Sequence, residues 1–296
     1  VFGWIMSCLA ILLGAIIGVA VFKLQQFSLA PPHVATLSVG LLSLTFYATA
    51  LGYFSFKQAR TLMAIQDELK RRQKESANLS RKLSKYLPPQ VWGSIFSGQT
   101  DVKLETQRKK LTVFFSDIKG FAEISEELQP EALMDLLNSY FTEMSRIALK
   151  YGGTIDKFVG DAILIFFGDP TSRGQKQDAI ACVSMALEMR KKMKLLRQQW
   201  RKEGISKPLQ VRMGINTGYC TVGNFGAETR MDYTIIGREV NLASRLESVA
   251  QPGEILIAES TYNLVRDVIM CRDRGQINVK GFSKTVPIFE IVDHRK

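Results

Sequence analysis

The stretch Leu111–Phe121, LTVFFSDIKGF, decides how the rest of the chain is read. Val113, Phe114 and Phe115 form the centre of an apolar run short enough for a buried strand. Asp117 ends that run, and Gly120 follows it. A carboxylate beside a buried strand is costly to desolvate unless something pairs with it. A second segment has the same form. Lys157–Phe167, KFVGDAILIFF, places Asp161 after Gly160, in a tight turn between two apolar strands. Either aspartate alone reads as a turn cap. Two strand-end carboxylates that converge repel each other, and cations relieve the repulsion. An all-oxygen site of this kind suits Mg²⁺ or Mn²⁺ better than Zn²⁺.

Working outward, the segment from Lys110 is mixed α and β. A strand is expected at Leu111–Ser116, then a helix over Pro130–Lys150. TIDKF and AILIFF read as two strands, Lys176–Lys202 as a long basic helix and LQVRMGINTG as a strand. CTVGNFG reads as a turn-rich link, MDYTII as a strand, and a helix starts near Glu239. Hairpins interleaved with helices favour an α+β, ferredoxin-like sandwich over a doubly wound sheet.

Upstream the composition changes. The first 56 residues carry one charged side chain, Lys23, so the net charge of +11 belongs almost wholly to the remainder of the 296-residue chain. Residues 1–22 and 34–56 are uncharged runs long enough to span a bilayer, which takes about 20 residues. Lys57, Arg60, Lys70, Arg71 and Arg72 follow the second run, which puts everything after it on the cytoplasmic side. Basic residues so placed favour a lipid surface over nucleic acid. A chain that opens on Val1 reads as a fragment, with room for further spans before it.

Residues 57–86 read as a helical linker. Leu62, Ile65, Leu69, Arg72, Ser76, Leu79, Leu83 and Tyr86 recur at heptad spacing, with two polar entries midway. This is either a weak parallel dimer seam or a solvated amphipathic rod. LPPQ at Leu87–Gln90 ends the helix, and 87–109 lead into a domain expected over 110–296.

Several chemistries are excluded. The chain has only two histidines and its four cysteines show no metal spacing, which removes Ser–His, Cys–His and zinc devices. P-loop, GxGxxG and kinase signatures are absent. Other residues stay open. Lys157 either snorkels to a strand edge or reads a ligand's polar group. Thr234 is either a strand former or a second reader. Asn241 and Arg245, four apart on one helix face, suit a sugar oxygen and a phosphoryl oxyanion. Equally, Arg245 pairs with Glu239 or Glu247 on a solvated face.

Taken together, VFFSDIKGF, GGTIDKFVGDAILIFFG, VRMGINTGYCTVGNFG, RMDYTIIGREVNLASRLES and VKG at Val279–Gly281 resemble the class III nucleotidyl cyclases. The resemblance is to the bacterial membrane-bound adenylate cyclase type and covers Lys110–Val292. It implies that Asp117, Asp161 and the Ile118 carbonyl hold two divalent cations per site, and that Lys157 and Thr234 read the base. It implies that Asn241 and Arg245 orient the ribose and stabilise the transition state, and that Lys280 grips the terminal phosphates with Arg230 in reach. The implied reaction converts ATP to 3′,5′-cyclic AMP and pyrophosphate at sites shared across a homodimer. The implied setting is the bacterial inner membrane, as a multi-pass protein with a cytoplasmic catalytic domain, a lipid bilayer around its spans and room for a membrane-embedded ligand or partner. A guanylate or dual-specificity cyclase and a catalytically silent cyclase-like module are the alternatives.

Overall fold

The computed structural model describes residues 12, 14–20, 22, 23, 26, 32–84, 92, 105–205, 207–227, 229–279, 282 and 285–295. They fall into two compact units, Val1–Lys82 and Leu83–Lys296.

The first unit contains helix α1, Pro32–Leu83, 52 residues long. It starts at a proline, whose missing N–H costs nothing in a first turn, and runs unbroken across the expected boundary at residue 56. The hydroxyls of Ser43, Thr45 and Thr49 return hydrogen bonds of 2.9 Å to carbonyls one turn back. Further along, Arg72 pairs with Glu68 at 2.9 Å and Arg71 with Glu75 at 3.3 Å, both at i,i+4 spacing. Leu62, Ile65, Leu69 and Leu79 of the heptad seam are exposed. Among the described residues no helix is long and apolar enough to cross a membrane. Most of the 1–22 run, and the side chains of the first six residues of the 34–56 run, lie outside the described residues. So do Tyr86 and nearly all of 87–104.

The second unit is a sheet with helices against it. Its elements are β1 (Thr106–Ile118), α2 (Phe121–Glu127), α3 (Pro130–Tyr151), β2 (Thr154–Val159), β3 (Ala162–Phe167) and α4 (Gln175–Lys202). Then come β4 (Val211–Ala227), β5 (Arg230–Ile236), α5 (Arg238–Val249), β6 (Ile255–Ala258), α6 (Glu259–Val265), β7 (Ile269–Ile277) and β8 (Val286–His294). The strand order is β2-β3-β1-β4-β6-β8-β7, with β5 on β4. The first four strands with α3 and α4 make the antiparallel β-α-β-β-α-β arrangement of a ferredoxin-like sandwich.

β1 is buried on both faces, which explains its continuous apolar run. Phe114 and Ile118 join Tyr140 and Met144 of α3 and Met185 and Met189 of α4 in the main core. Leu111 and Val113 join a second cluster with Cys220, Val222 and Ile235 of β4 and β5 and Val240 and Ala243 of α5. By the period of two, Asp117 shares a face with Leu111 and Val113. The expected link at CTVGNFG is instead strand: β4 continues from Val211 to Ala227, pairing with β1 from Val211 to Gly223 and with β5 from Thr221 to Ala227.

Candidate active site

Asp117 and Asp161 meet. β1 brings Asp117 to the end of its ladder, opposite Arg212 of β4. Gly160 adopts φ 63° in the turn that leads from β2 into β3, and Asp161 follows it. The Ile118 N–H donates to Asp161 Oδ2 at 3.0 Å. Burial and the hydrogen-bonded Asp117 carboxyl push the Asp161 carboxyl up to about 6. Arg212 donates to Asp117 Oδ2 at 2.8 Å and its Nε lies 2.6 Å from Glu247 Oε1 of α5. Burial pushes Glu247 up to about 7, the Arg212 charge opposes this, and the Asp117 charge adds to it.

The donor set is therefore two hard carboxylates with a surplus of negative charge, one of them strained towards protonation. That chemistry fits a divalent cation with oxygen ligands. Among the described residues no group of three or more His, Cys, Asp or Glu side chains gathers as a metal cluster; Asp117 and Asp161 would be the side chains to hold such a cation. Ile118 is seen here through its N–H.

A second group forms around Asp156. Its Oδ2 accepts the Thr234 hydroxyl at 2.7 Å and the Ile235 N–H at 3.2 Å. Its Oδ1 lies 3.4 Å from Lys157 Nζ. Lys157 and Thr234, distant in sequence, thus share one carboxylate. Burial raises Asp156 above the usual carboxylate range, and the contacts to Thr234, Lys157 and Ile235 oppose the rise.

Asn241 and Arg245 lie exposed on α5. Glu239 is paired with Arg238 and Glu247 with Arg212, so neither acidic neighbour takes Arg245. The side chains of Asn241, Arg245 and Arg230 make no hydrogen bond or ion pair among the described residues. Arg230 is exposed at the start of β5. Lys280 lies outside the described residues. Within the chain, no hydrogen bond or ion pair among the described residues joins the Asp117–Asp161 pair to Lys157, Thr234, Asn241 or Arg245.

Sequence reading missed Arg212, Glu247 and Asp156. The adjacent Asp156–Lys157 charges inside an apolar strand were a usable signal. Arg212 gave none, because its meaning comes from the β1–β4 register.

Residues 104–292 match the family model described as the adenylate and guanylate cyclase catalytic domain. The chain is 33% identical over 231 residues to the terminal-differentiation specific adenylate cyclase of Dictyostelium discoideum, an alignment covering 74% of this chain and 10% of that one. It is 30% identical over 226 residues to retinal guanylyl cyclase 1 of Rattus norvegicus, covering 75% and 20%. It thus spans about a tenth to a fifth of the length of these curated relatives. The crystal structure of the adenylyl cyclase CyaB from P. aeruginosa is 73% identical, with a TM-score of 0.64 over 65% of this chain and 98% of that one. The chain belongs to the class III nucleotidyl cyclases, the family of adenylate and guanylate cyclase catalytic domains.

Proposed function

We propose that the protein is a membrane-anchored adenylate cyclase that acts as a homodimer. The observation that carries the catalytic reading is the convergence of Asp117 and Asp161 at two strand ends, with the Asp161 carboxyl pushed up to about 6. Asp117 and Asp161, with the Ile118 carbonyl beside them, would hold Mg²⁺ or Mn²⁺. Two such cations supply charge neutralisation for a triphosphate and lower the pKa of an attacking hydroxyl.

The chain's own residues bind and orient. Lys157 donates to the N1 acceptor of adenine, and Thr234 takes the neighbouring position. Asn241 holds the ribose so that its 3′-OH faces the α-phosphorus, a proximity effect. Arg245 offers its guanidinium to charge growing on the α-phosphoryl oxygens, an interaction of roughly 2.7–4 kcal/mol in comparable sites. Lys280 and Arg230 receive the pyrophosphate end. The 3′ oxygen bonds to the α-phosphorus, the bond to pyrophosphate breaks, and cyclic AMP results. That the side chains of Asn241 and Arg245 have no partner among the described residues supports a site completed by the Asp117–Asp161 pair of a second copy.

Similarity to a retinal guanylyl cyclase favours GTP as the second reading. Lys157 weighs against it, since an ammonium cannot accept the N1–H of guanine. For anchoring, the supports are the uncharged run 34–56 inside an unbroken helix, the hydroxyls of Ser43, Thr45 and Thr49 bonded back to its own backbone, and Lys57 and Arg60 directly after it. That order suits a bacterial inner membrane with the catalytic unit in the cytoplasm, preceded in sequence by a helical linker able to pair with its copy.

The test is product analysis of the purified chain with ATP or GTP and Mg²⁺ or Mn²⁺. Cyclic AMP is the expected main product. Asp117→Ala and Asp161→Ala are each expected to reduce turnover at least about a hundredfold. Full activity in both would remove the assignment of the carboxylate pair.

A further inference from the structure

Asp156 stands between the two residues assigned to base reading. The β2–β3 register shifts between Ile155 and Lys157, so Asp156 is the extra residue of a β-bulge. Bulges re-aim side chains and occur beside active sites. Here the Asp156 side chain is 0% exposed, against 39% for Lys157. Its Oδ2 holds the Thr234 hydroxyl and the Ile235 N–H, while Oδ1 is buried and accepts no hydrogen bond.

We propose that Asp156 sets the polarity of the base pocket, making Thr234 an acceptor beside the donor Lys157 so that the site takes a 6-aminopurine and rejects a 6-oxopurine. This rests on the adenylate cyclase reading of Lys157 and Thr234. A hydroxyl has one hydrogen and two lone pairs. Left alone, Thr234 would rotate to donate or accept and would discriminate nothing. An amide N–H can only donate, so Oδ2 serves Ile235 as an acceptor, and the Thr234 hydroxyl donates to it as well. The single Thr234 hydrogen is committed to that same oxygen. What remains to face a ligand is lone pairs.

The Lys157 ammonium has donors only. The pair therefore presents donor and acceptor side by side. Adenine offers the complement, an N1 acceptor next to a 6-amino donor. Guanine and hypoxanthine offer the reverse, an N1–H donor next to a 6-oxo acceptor, and both positions then clash in polarity. Asp156 acts through Thr234 and Lys157 and is a positioning residue.

The experiment compares kcat/KM of the full chain for ATP and inosine triphosphate, which differ at the 6 position and N1 alone. Asp156→Ala frees the Thr234 hydroxyl and is expected to lower the ATP-to-ITP ratio about tenfold or more, chiefly through a higher KM for ATP. Asp156→Leu, closer in volume and equally without an acceptor, replaces it if the alanine variant does not fold. Asp156→Asn keeps an acceptor on Ile235 and turns its NH₂ towards Lys157. It is expected to hold the ratio within about threefold while raising the ATP KM. Parallel losses for both nucleotides in Asp156→Ala or Asp156→Leu would overturn the proposal, as would a collapsed ratio in Asp156→Asn. A wild-type chain that cyclises neither nucleotide would instead refute the cyclase reading itself.

Discussion

At the scale of single residues, the Asp117–Asp161 pair sets one carboxyl against another, at a cost in stability. Without a cation, the folded Asp161 carboxyl titrates at about 6, against an ordinary value of 3.8. Between those values the native state holds more protons than the unfolded one. Its stability therefore falls as pH rises through that window. Asp161→Asn removes the repulsion. In chelator at pH 7 its thermal midpoint is expected to exceed wild type by about 2–4 °C, with the gap closing near pH 4 and activity lost. A variant that melts below wild type at pH 7 would show that the pair is not repulsive. Both aspartates were legible in the sequence because each ends an apolar strand, where a charge stands out. Arg212 was not, because its partner Asp117 lies 95 residues away; Asp156 showed only as a charge beside Lys157, since its partner Thr234 lies 78 residues away. Arg245 was half legible. Its spacing from Asn241 placed both on one face, but only the pairing of Glu239 and Glu247 elsewhere left it free.

At the scale of elements, β4 pairs with β1 and β5, the strands that hold Asp117 and Thr234, and was the element read least well. Its glycines lower strand propensity and read as a turn. In the fold they permit close approach. A methyl group on Gly214 would sit 2.2 Å from the Glu247 nitrogen and 2.3 Å from the Ala243 carbonyl oxygen, so α5 lies directly on the strand there. At Gly223 a methyl group would meet the Glu105 carbonyl oxygen at 2.2 Å, where β4 ends its pairing with β1. The β2–β3 hairpin, by contrast, was legible almost to the residue, since two apolar runs flank a single Gly–Asp turn. Gly214→Ala is expected to cost about 1–3 kcal/mol or more of stability, as overpacking does. It also lifts the helix that carries Asn241, Arg245 and Glu247. Urea unfolding checks the first effect, and kcat falling more than substrate affinity checks the second. Unchanged stability would mean that α5 can shift without loss.

At the scale of the whole molecule, the functional groups divide. Asp117 is tied to Arg212 and to Asp161. Lys157 and Thr234 are tied through Asp156, and Asn241 and Arg245 face outward with no partner among the described residues. On the proposed reading one chain holds both halves of a site, and no hydrogen bond or ion pair among the described residues joins them. Two copies related by a two-fold axis would complete two sites at once, each taking its carboxylates from one chain and its base and ribose readers from the other. This arrangement makes a quantitative prediction. The double variant Asp117→Ala/Asp161→Ala and the double variant Asn241→Ala/Arg245→Ala are each inactive alone. Co-expressed in equal amounts they pair at random, and half of the dimers are mixed. Each mixed dimer carries one wholly wild-type site and one doubly defective site. The recovered specific activity is then about a quarter of wild type. If instead each chain builds its own site, no chain in the mixture has a complete set, and activity stays at the level of the single variants. Activity of the mixture, compared with each variant alone at the same total concentration, separates the two architectures.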